Sequence, residues 1–427
     1  MTAASHPALW PSPWPAEDGG PLRRQVPHGT TGLGLLDGDE LEVASRFAIA
    51  STMPVLREPG EVYLLGHSGG EDAVSWVEQL HPHTLEPLRR SPDLPGGPVW
   101  PGGMAAHANG SLYVVFGRHA HRLSSDLHVL ATVELPRNRP YNSFVVLPDG
   151  CLAMKDFGGA RPGMPDGDGL GDTELLVLEP EALRIVGRCT LPESSIARLS
   201  ADGDDIYVVG DTSLMRIRWS GTSLTLDEAF RPVYRTIDGQ TYGWDAVLAD
   251  GAAWFLDNGA GSDRYAGSFR GLGISAAPLH LVRVGLADGA VQLTEICGLP
   301  NGLIANPPAI DAQRRIAVGY DSSNGVVAAF RFDERGVTEQ LWSKELLQAA
   351  HPLLFPDTGE LVMFDFDVDR SAEQVVVLNI ETGAELARAD TGSPVQSVVF
   401  GGVGWERDLY LCSFATVSRV SVRAPQP

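Results

Sequence analysis

The chain has 427 residues, 43% of them hydrophobic, and a formal net charge of −22 at pH 7. This acidity argues against nucleic acid as a partner, because phosphate contacts require a basic face. No apolar run approaches the roughly 18 residues of a membrane span, and the four cysteines form no Cys-x-x-Cys pair, so we expect no membrane segment, disulfide framework or structural zinc.

The N-terminal region, residues 1–48, precedes the repeated part of the chain. Its first twenty residues lack the basic start and apolar core of a signal peptide, which makes a cytoplasmic protein the expectation. The run Trp10-Pro11-Ser12-Pro13-Trp14-Pro15 indicates an extended arm that packs on the rest of the protein. The stretch Glu40–Phe47 is expected to be a strand. We therefore divide the chain into an arm with a closing strand, 1–48, and a repeat domain, 49–427.

The repeat begins as a hairpin. An apolar run from Met53 is followed by a Glu58-Pro59-Gly60 turn and a second run, Val62–Leu65, and the same phrase returns around the turn Pro148-Asp149-Gly150. Strand-length runs on both sides of such turns are typical of β-hairpins. A second hairpin follows the first in most copies, as at Val375–Ile380 with its Glu381-Thr382-Gly383 turn. Each unit is thus predicted to contain four antiparallel strands.

The spacing of these turns, roughly 40 to 60 residues, is the period of radial β-repeats. We therefore predict an all-β protein, a β-propeller, whose small sheets bury both faces against their neighbours. Eight four-stranded blades are favoured, and seven is the alternative if the weak unit 102–136 is merged. The last unit shows about three strands, so Glu40–Phe47 is expected to supply the fourth and close the ring. The predicted units are 50–91, 102–136, 141–191, 195–230, 243–297, 304–343, 349–391 and 395–423.

Three segments depart from the strand pattern. The run 343–350 is predicted to form two turns of helix, because it shows a helical period that is otherwise almost absent. Two Gly-rich insertions, 158–173 and 259–278, are expected between the second and third strands of their units. Loops of this length either serve as lids or are simply mobile.

Chemistry is expected where the innermost strands begin, since the residue entering each such strand can point at the central channel. Asp245 and several amides and imidazoles occupy these positions: His107, Asn142, Asn301, Asn306 and His351. Carboxylate and amide oxygens suit a hard cation such as calcium, and imidazoles add acid/base capacity. The alternative is that these groups only satisfy turns or channel water.

Three motifs resemble the gluconolactonase (regucalcin-like) and strictosidine-synthase-like propellers. Asn142–Gly150 is similar to the family's Asn-Asp-x-x-x-x-x-Asp-Gly phrase. Asn301–Pro307 is similar to its Asn-Gly-x-x-x-x-Pro phrase. Trp244–Trp254 is similar to its metal-binding Asp followed by an Asp-Gly-x-x-Trp strand. The resemblance implies that Asp245 and Asn301 bind a divalent cation, usually calcium, which polarises a lactone or ester carbonyl. It also makes Asn142 a ligand or a substrate contact. The family ring has six blades, and the order of the Asp and Asn-Gly motifs is reversed here.

The function predicted on this basis is metal-assisted hydrolysis of a small organic lactone or ester in the central channel. His107 or His351 would move protons, and Asn142, Asn306 and Lys155 would contact the substrate. Two alternatives stay open: a non-catalytic scaffold that binds a partner protein, and a metal-free lyase or cyclase. A quinone-dependent enzyme is disfavoured, because the sequence does not place the stacking tryptophans and the arginine that its cofactor needs. Substrate and oligomeric state are not determined.

Overall fold

The computed structural model describes residues 6–423 apart from 31, 37, 158–170 and 398–399. Within these ranges the chain forms a ring of eight antiparallel sheets of four strands, one of which has an additional fifth strand. The β-propeller predicted from the sequence is therefore confirmed, with the higher of the two blade counts. The described part of the chain contains no helix long and apolar enough to cross a membrane, and the four cysteines are free.

The strands of each blade follow one another in the chain from the centre of the ring outward. The first four blades consist of these strands: β2 (Ser51–Leu56), β3 (Val62–His67), β4 (Ala73–Leu80) and β5 (Pro87–Arg90), with β6 (Leu94–Gly97) beside β4; β7 (Gly103–Ala106), β8 (Leu112–Phe116), β9 (His119–Leu123) and β10 (Val129–Glu134); β11 (Tyr141–Val146), β12 (Leu152–Asp156), β13 (Thr173–Leu178) and β14 (Ile185–Leu191); and β15 (Ser200–Asp202), β16 (Asp205–Val209), β17 (Leu214–Trp219) and β18 (Leu224–Leu226).

The other four blades have the same plan. Their strands are β19 (Val247–Ala249), β20 (Ala252–Leu256), β21 (His280–Gly285) and β22 (Val291–Glu295); β23 (Ala309–Asp311), β24 (Ile316–Asp321), β25 (Val326–Asp333) and β26 (Gly336–Glu345); β27 (Leu353–Phe355), β28 (Glu360–Asp367), β29 (Ala372–Asn379) and β30 (Glu385–Asp390); and β31 (Gly401–Val403), β32 (Asp408–Cys412) and β33 (Thr416–Arg423) with β1 (Glu40–Phe47). Two short 3₁₀ helices complete the regular structure, η1 (Glu17–Gly19) and η2 (Ser262–Arg264).

The ring is closed by a strand from the other end of the chain. β1 pairs antiparallel with β33 along its whole length, from Glu40 opposite Arg423 to Phe47 opposite Thr416. This confirms the predicted closing strand. It also joins residues distant in sequence in one sheet, so that the last blade has four strands like the others.

The hydrophobic core lies between neighbouring blades. The first strands of successive blades contact one another around the axis, and middle strands such as β12 and β13 are buried along their whole length. Outer strands such as β14 have mostly exposed side chains. This gradient follows from the architecture, because only the outer strand of a blade lies at the rim of the ring.

The helix predicted over 343–350 is wrong, because no part of this segment is helical. Residues Ser343 to Glu345 continue β26 and pair with Ala328 to Val326 of β25, and the rest of the segment is irregular. The helical spacing of apolar residues is short here, and backbone pairing with β25 stabilises the strand instead. The insertion 259–278 lies between β20 and β21, as predicted, whereas most of 158–173 falls outside the described residues.

The N-terminal arm closes one mouth of the central channel. Its backbone forms hydrogen bonds with the first strands of several blades: Leu56 N to Trp14 O at 2.9 Å, Trp10 N to Ala106 O at 2.9 Å, Ala201 N to Pro21 O at 2.8 Å, Leu248 N to Leu22 O at 2.9 Å and Leu354 N to Gln25 O at 2.9 Å. All these partners stand near the ends of the first strands. The arm therefore covers the mouth at which those strands end, and it carries η1 towards the axis.

Candidate functional site

A cavity of about 130 Å³ opens at the opposite mouth, where the first strands begin. Five aromatic side chains line it: Trp100, Trp244, Tyr265, Phe269 and Phe414. Its polar lining comes from Arg198, Asn306 and Ser262. We call this cavity the axial pocket. An apolar cavity with a few convergent polar groups is the usual form of a small-molecule site.

The aromatic walls come from three kinds of structural position. Trp100 and Trp244 each stand three residues before a first strand, β7 and β19, and their rings lie 6.2 Å apart. Phe414 belongs to the turn between β32 and β33. Tyr265 and Phe269 belong to the insertion 259–278, with ring centres 4.8 Å apart. The pocket is thus formed jointly by the ring and by one long loop.

Arg198 is the cationic group of the axial pocket. It stands two residues before β15 and is almost completely buried. Its backbone N–H donates to Oδ1 of Asp245 at 2.6 Å, and its Nη1 lies 3.5 Å from Oδ2 of the same carboxylate. The guanidinium also lies 4.6 Å above the ring of Phe400. A buried arginine with these partners is held in one orientation.

Beneath Arg198, η1 brings carboxylates into the channel. Glu17 Oε1 is 2.8 Å from Arg198 Nε and 2.7 Å from Arg23 Nη1, and Asp18 is 3.1 Å from the same Arg23 nitrogen. Arg23 also donates to Ser143 Oγ at 2.7 Å. Burial raises the pKa of Glu17, and the two guanidiniums oppose only part of this effect. Charges removed from water are tolerated here because they are paired.

Asp18 continues this network to His351, which stands two residues before β27. Nδ1 of His351 is 2.8 Å from Asp18 Oδ1, and both side chains are buried. Burial raises the pKa of Asp18, but the imidazole and the arginines outweigh it, so the pKa lies below its ordinary value. Nε2 of His351 is buried without a hydrogen-bond partner among the described residues. An imidazole held by a carboxylate at one nitrogen can exchange a proton at the other.

The other predicted catalytic residue, His107, lies elsewhere. It follows the end of β7 rather than its beginning, so the expectation that it enters a first strand is wrong. Its Nε2 contacts Gly150 O at 3.1 Å, and its Nδ1 accepts from Asn109 N at 3.0 Å. The two nitrogens therefore bond to the β7–β8 turn of one blade and the β11–β12 turn of the next, at the mouth that the arm covers.

The two predicted cation ligands do not share an environment. Asp245 is completely buried and faces Arg198, whereas Asn301 is exposed and its backbone N–H donates to Ser275 O at 2.8 Å. Among the described residues, no group of three or more His, Cys, Asp or Glu side chains is arranged to hold a metal ion. This donor set does not fit a calcium ion, which needs six to eight oxygen ligands. Calcium binding stays an untested prediction.

The three predicted substrate contacts lie in different parts of the structure. Asn306 lines the axial pocket, and its amide donates to Ala349 O. Asn142 is the second residue of β11, a first strand. Lys155 is completely buried in β12, where its ammonium donates to the carbonyls of Ser195 at 3.0 Å and Asp156 at 3.2 Å. Asn306 thus lies in the pocket wall and Lys155 lies apart from it, while the side chain of Asn142 is outside the described part of the protein.

Sequence reasoning missed the arginine, the aromatic walls and the contribution of the arm. Arg198 occupies the same position as Asp245 and His351, two residues before a first strand. The position of Arg198 before a first strand could therefore have indicated it, but the prediction was limited to amides, carboxylates and imidazoles at such positions. Trp100 and Trp244 precede first strands too. For Glu17 and Asp18, a Pro- and Trp-rich stretch gives no local sign that it enters a channel.

Comparison with known proteins identifies the fold and nothing narrower. No family model and no curated protein matches this chain. Among solved structures, the chain is similar to the quinohemoprotein alcohol dehydrogenase from Comamonas testosteroni, with a TM-score of 0.62 and 11% identity over 100% of this chain and 82% of that one. It is also similar to the quinohemoprotein alcohol dehydrogenase ADHIIG from Pseudomonas putida HK5, with a TM-score of 0.59 and 10% identity over 98% and 82%. BamB from Moraxella catarrhalis follows with 0.53 and 12% over 88% and 100%. At these identities the likeness shows a shared β-propeller alone.

Proposed function

We propose that this protein is an enzyme that hydrolyses a small lactone or ester with a single ring, bound in the axial pocket. The observation that carries the proposal is the position of Arg198, a buried guanidinium in the lining of an otherwise aromatic cavity. Aromatic walls favour a flat or apolar ligand body. A fixed positive charge in a site of low dielectric favours a carbonyl or carboxylate oxygen beside it.

The volume limits the size of the ligand. The pocket measures about 130 Å³, and an apolar cavity of roughly 150 Å³ is known to hold benzene. One six-membered ring with a small polar substituent is therefore the appropriate scale. A fused multi-ring compound or a disaccharide cannot lie wholly inside this volume unless the pocket walls move.

Arg198 performs the electrostatic part of the proposed reaction. Attack of water on an ester carbonyl builds negative charge on the carbonyl oxygen, and a donor already oriented towards that oxygen stabilises the transition state. Removal of one such donor typically slows the reaction roughly 10²- to 10³-fold. Because Asp245 and Glu17 hold the guanidinium in place, little reorganisation is needed during the reaction.

His351 is the proposed proton-transfer group. Asp18 fixes its Nδ1, and Nε2, which lies outside the pocket lining, would accept a proton from the attacking water through an intervening water and return it to the leaving alcohol by the same route. The divalent cation that the resemblance implies is not used here, because the donors at Asp245 and Asn301 do not fit it, and no step is assigned to it.

A quinone-dependent oxidoreductase is the second candidate. Its residue types, two tryptophans and an arginine, do come together as Trp100, Trp244 and Arg198, and the two dehydrogenases with a similar fold are quinohemoproteins. A multi-ring quinone is larger than the pocket of about 130 Å³, so the site in its present form does not fit it. No step is derived through such a cofactor.

Ligand binding and turnover test the proposal together. Isothermal titration with benzoate, a one-ring carboxylate, and hydrolysis of phenyl acetate and δ-valerolactone would be measured for the wild type, Arg198→Lys and Arg198→Met. We expect benzoate affinity to fall at least tenfold in Arg198→Met and less in Arg198→Lys. The rate of ester and lactone hydrolysis should fall in the same order. Arg331→Met is the matched control, because Arg331 forms an exposed pair with Glu339.

Two results would contradict the proposal. If the wild type binds no one-ring anion and hydrolyses neither substrate, the axial pocket is not the site of such an enzyme, and the scaffold interpretation gains. If benzoate binds, and phenyl acetate and δ-valerolactone displace it without being hydrolysed, the metal-free lyase or cyclase becomes the better hypothesis. Circular dichroism of each variant checks that a lost signal is not lost folding.

A further inference from the structure

The insertion 259–278 extends from blade 5 across the open mouth of the channel. It leaves the ring after β20 and returns at β21, and between these points it reaches the connection between β30 and β31, on the far side of the axial pocket. Two of its residues, Tyr265 and Phe269, form part of the pocket wall. The loop thus covers the axial pocket on the side of the open mouth.

Gln396 holds the segment 265–269 of this loop, while Gly271 N and Gly273 N bond separately to Ser323 at 3.1 and 3.0 Å. The backbone N–H of Gln396 donates to Gly267 O at 2.8 Å, and its carbonyl accepts from the Tyr265 hydroxyl at 2.6 Å. Its side-chain oxygen accepts from Phe269 N at 2.7 Å and from Ser268 Oγ at 3.0 Å. One buried residue therefore makes four hydrogen bonds to a single loop.

Gln396 is itself anchored to the ring. Its side-chain N–H donates to Leu347 O at 2.6 Å. The next residue, Ser397, donates through both N–H and Oγ at 2.6 Å to the buried carboxylate of Glu373 on β29. The loop is consequently tied through Gln396 to the connection between β26 and β27, and through the neighbouring Ser397 to β29 of blade 7.

We propose that Gln396 is a specificity-determining residue: by holding the segment 265–269 against blade 7 and the β26–β27 connection, it restricts the axial pocket to ligands of one ring. The inference depends on the proposed function, since it concerns the same pocket. Tyr265 and Phe269 can retreat from the pocket only if the segment 265–269 lifts, and this segment cannot lift without breaking its bonds to Gln396. Ligands with two fused rings need that movement to lie wholly inside the pocket.

Two substitutions test the side-chain hydrogen bonds of Gln396 separately from its backbone hydrogen bonds to the loop. Gln396→Leu keeps the size of the side chain but removes the acceptor for Phe269 N and Ser268 Oγ. Gln396→Glu keeps an acceptor for Phe269 N and Ser268 Oγ, but it can donate to Leu347 O only when its carboxyl group is protonated, and the ionised form sets two oxygens against each other there. The matched control is Gln374→Leu, because Gln374 bonds with Asp390 and Arg388 on the rim of blade 7, away from the pocket.

The experiment compares benzoate with 2-naphthoate by isothermal titration, and follows hydrogen exchange of the segment 265–269 by mass spectrometry. We expect the wild type to bind benzoate and to discriminate against 2-naphthoate at least tenfold. In Gln396→Leu this discrimination should disappear, and exchange in 265–269 should accelerate at least tenfold. Gln396→Glu should lie between the wild type and Gln396→Leu, because it keeps the acceptor but weakens the bond to Leu347 O, and Gln374→Leu should equal the wild type.

The outcomes distinguish this inference from the function on which it depends. Failure of the wild type to bind benzoate removes the proposed function, while the exchange rates still decide whether Gln396 fastens the loop. Equal binding of both acids by the wild type overturns the size restriction and leaves the proposed function intact. Unchanged exchange in Gln396→Leu overturns the inference whatever the affinities are.

Discussion

Glu17 and Arg198 meet inside the ring, with Glu17 Oε1 2.8 Å from Arg198 Nε, although one lies in the N-terminal arm and the other precedes β15. The same carboxylate oxygen is 2.7 Å from Arg23. The arm is therefore part of the electrostatic environment of the axial pocket, and it fixes the orientation of the arginine proposed to polarise the substrate.

Replacement of this carboxylate should be costly. Glu17→Gln leaves Arg23 and Arg198 buried with one fewer counter-charge, and breaking a buried ion pair typically destabilises a protein by about 3 to 5 kcal/mol. We expect a loss of about 3 kcal/mol in the free energy of unfolding, measured by urea denaturation followed by circular dichroism. Glu339→Gln, which breaks an exposed pair with Arg331, should cost less than about 1 kcal/mol. Equal effects of the two substitutions would contradict the role assigned to Glu17.

Gly259 should be needed for the shape of the pocket. A Cβ at this position would overlap the indole nitrogen of Trp244, so Gly259→Ala must displace a pocket wall. Overpacking of this kind costs about 1 to 3 kcal/mol, and we expect benzoate affinity, measured by titration, to fall about tenfold. Gly69→Ala is the matched control, because nothing lies within 4 Å of a Cβ there. An unchanged affinity in Gly259→Ala would show that Trp244 does not shape the site.

Glu373 should make stability depend on pH. Burial raises its pKa from 4.5 to about 7, against the hydrogen bonds from Ser397 and Thr391. Because the folded pKa exceeds the unfolded one, ionisation opposes folding: the stability contributed by the protonated group is complete below about pH 4.5 and is lost as the pH rises to about 7. The loss amounts to roughly 3 kcal/mol.

This pH dependence can be measured by urea denaturation at intervals from pH 4.5 to 8. The stability of the wild type relative to Glu373→Gln should fall across that range, because glutamine does not ionise. Parallel curves for the two proteins would mean that Glu373 titrates normally in the folded state.

Calcium should have little effect on the protein. Asp245 faces Arg198 rather than a second carboxylate, and a cation at this position would have to displace the guanidinium. We expect millimolar calcium to shift the melting temperature by less than about 1 °C, since a ligand stabilises only the state that binds it. A saturable increase that both Asp245→Asn and Asn301→Ala abolish would establish the cation site of the resembling family instead.

The accuracy of the sequence-based site prediction depended on the position of each residue along its strand. Asp245 and His351 were predicted at the axis and lie there, because every first strand begins beside the channel. His107 was placed by the same rule but follows β7, so it lies at the other mouth. Asn301 and Asn306 were treated as one group, yet the former is exposed and the latter lines the pocket.

The amino-acid sequence by itself determined the ring: alternating apolar runs, turn residues at a regular spacing and a spare strand near the N-terminus specify the blades and their closure, since hairpin pairing is local and repeats along the chain. Only the tertiary structure decided what the centre of the ring contains. The path of the arm, the pairing of Glu17 with Arg198 and the fastening of the loop 259–278 on Gln396 all join residues far apart in the chain. Such contacts depend on the closed ring bringing them together, and no local pattern encodes them.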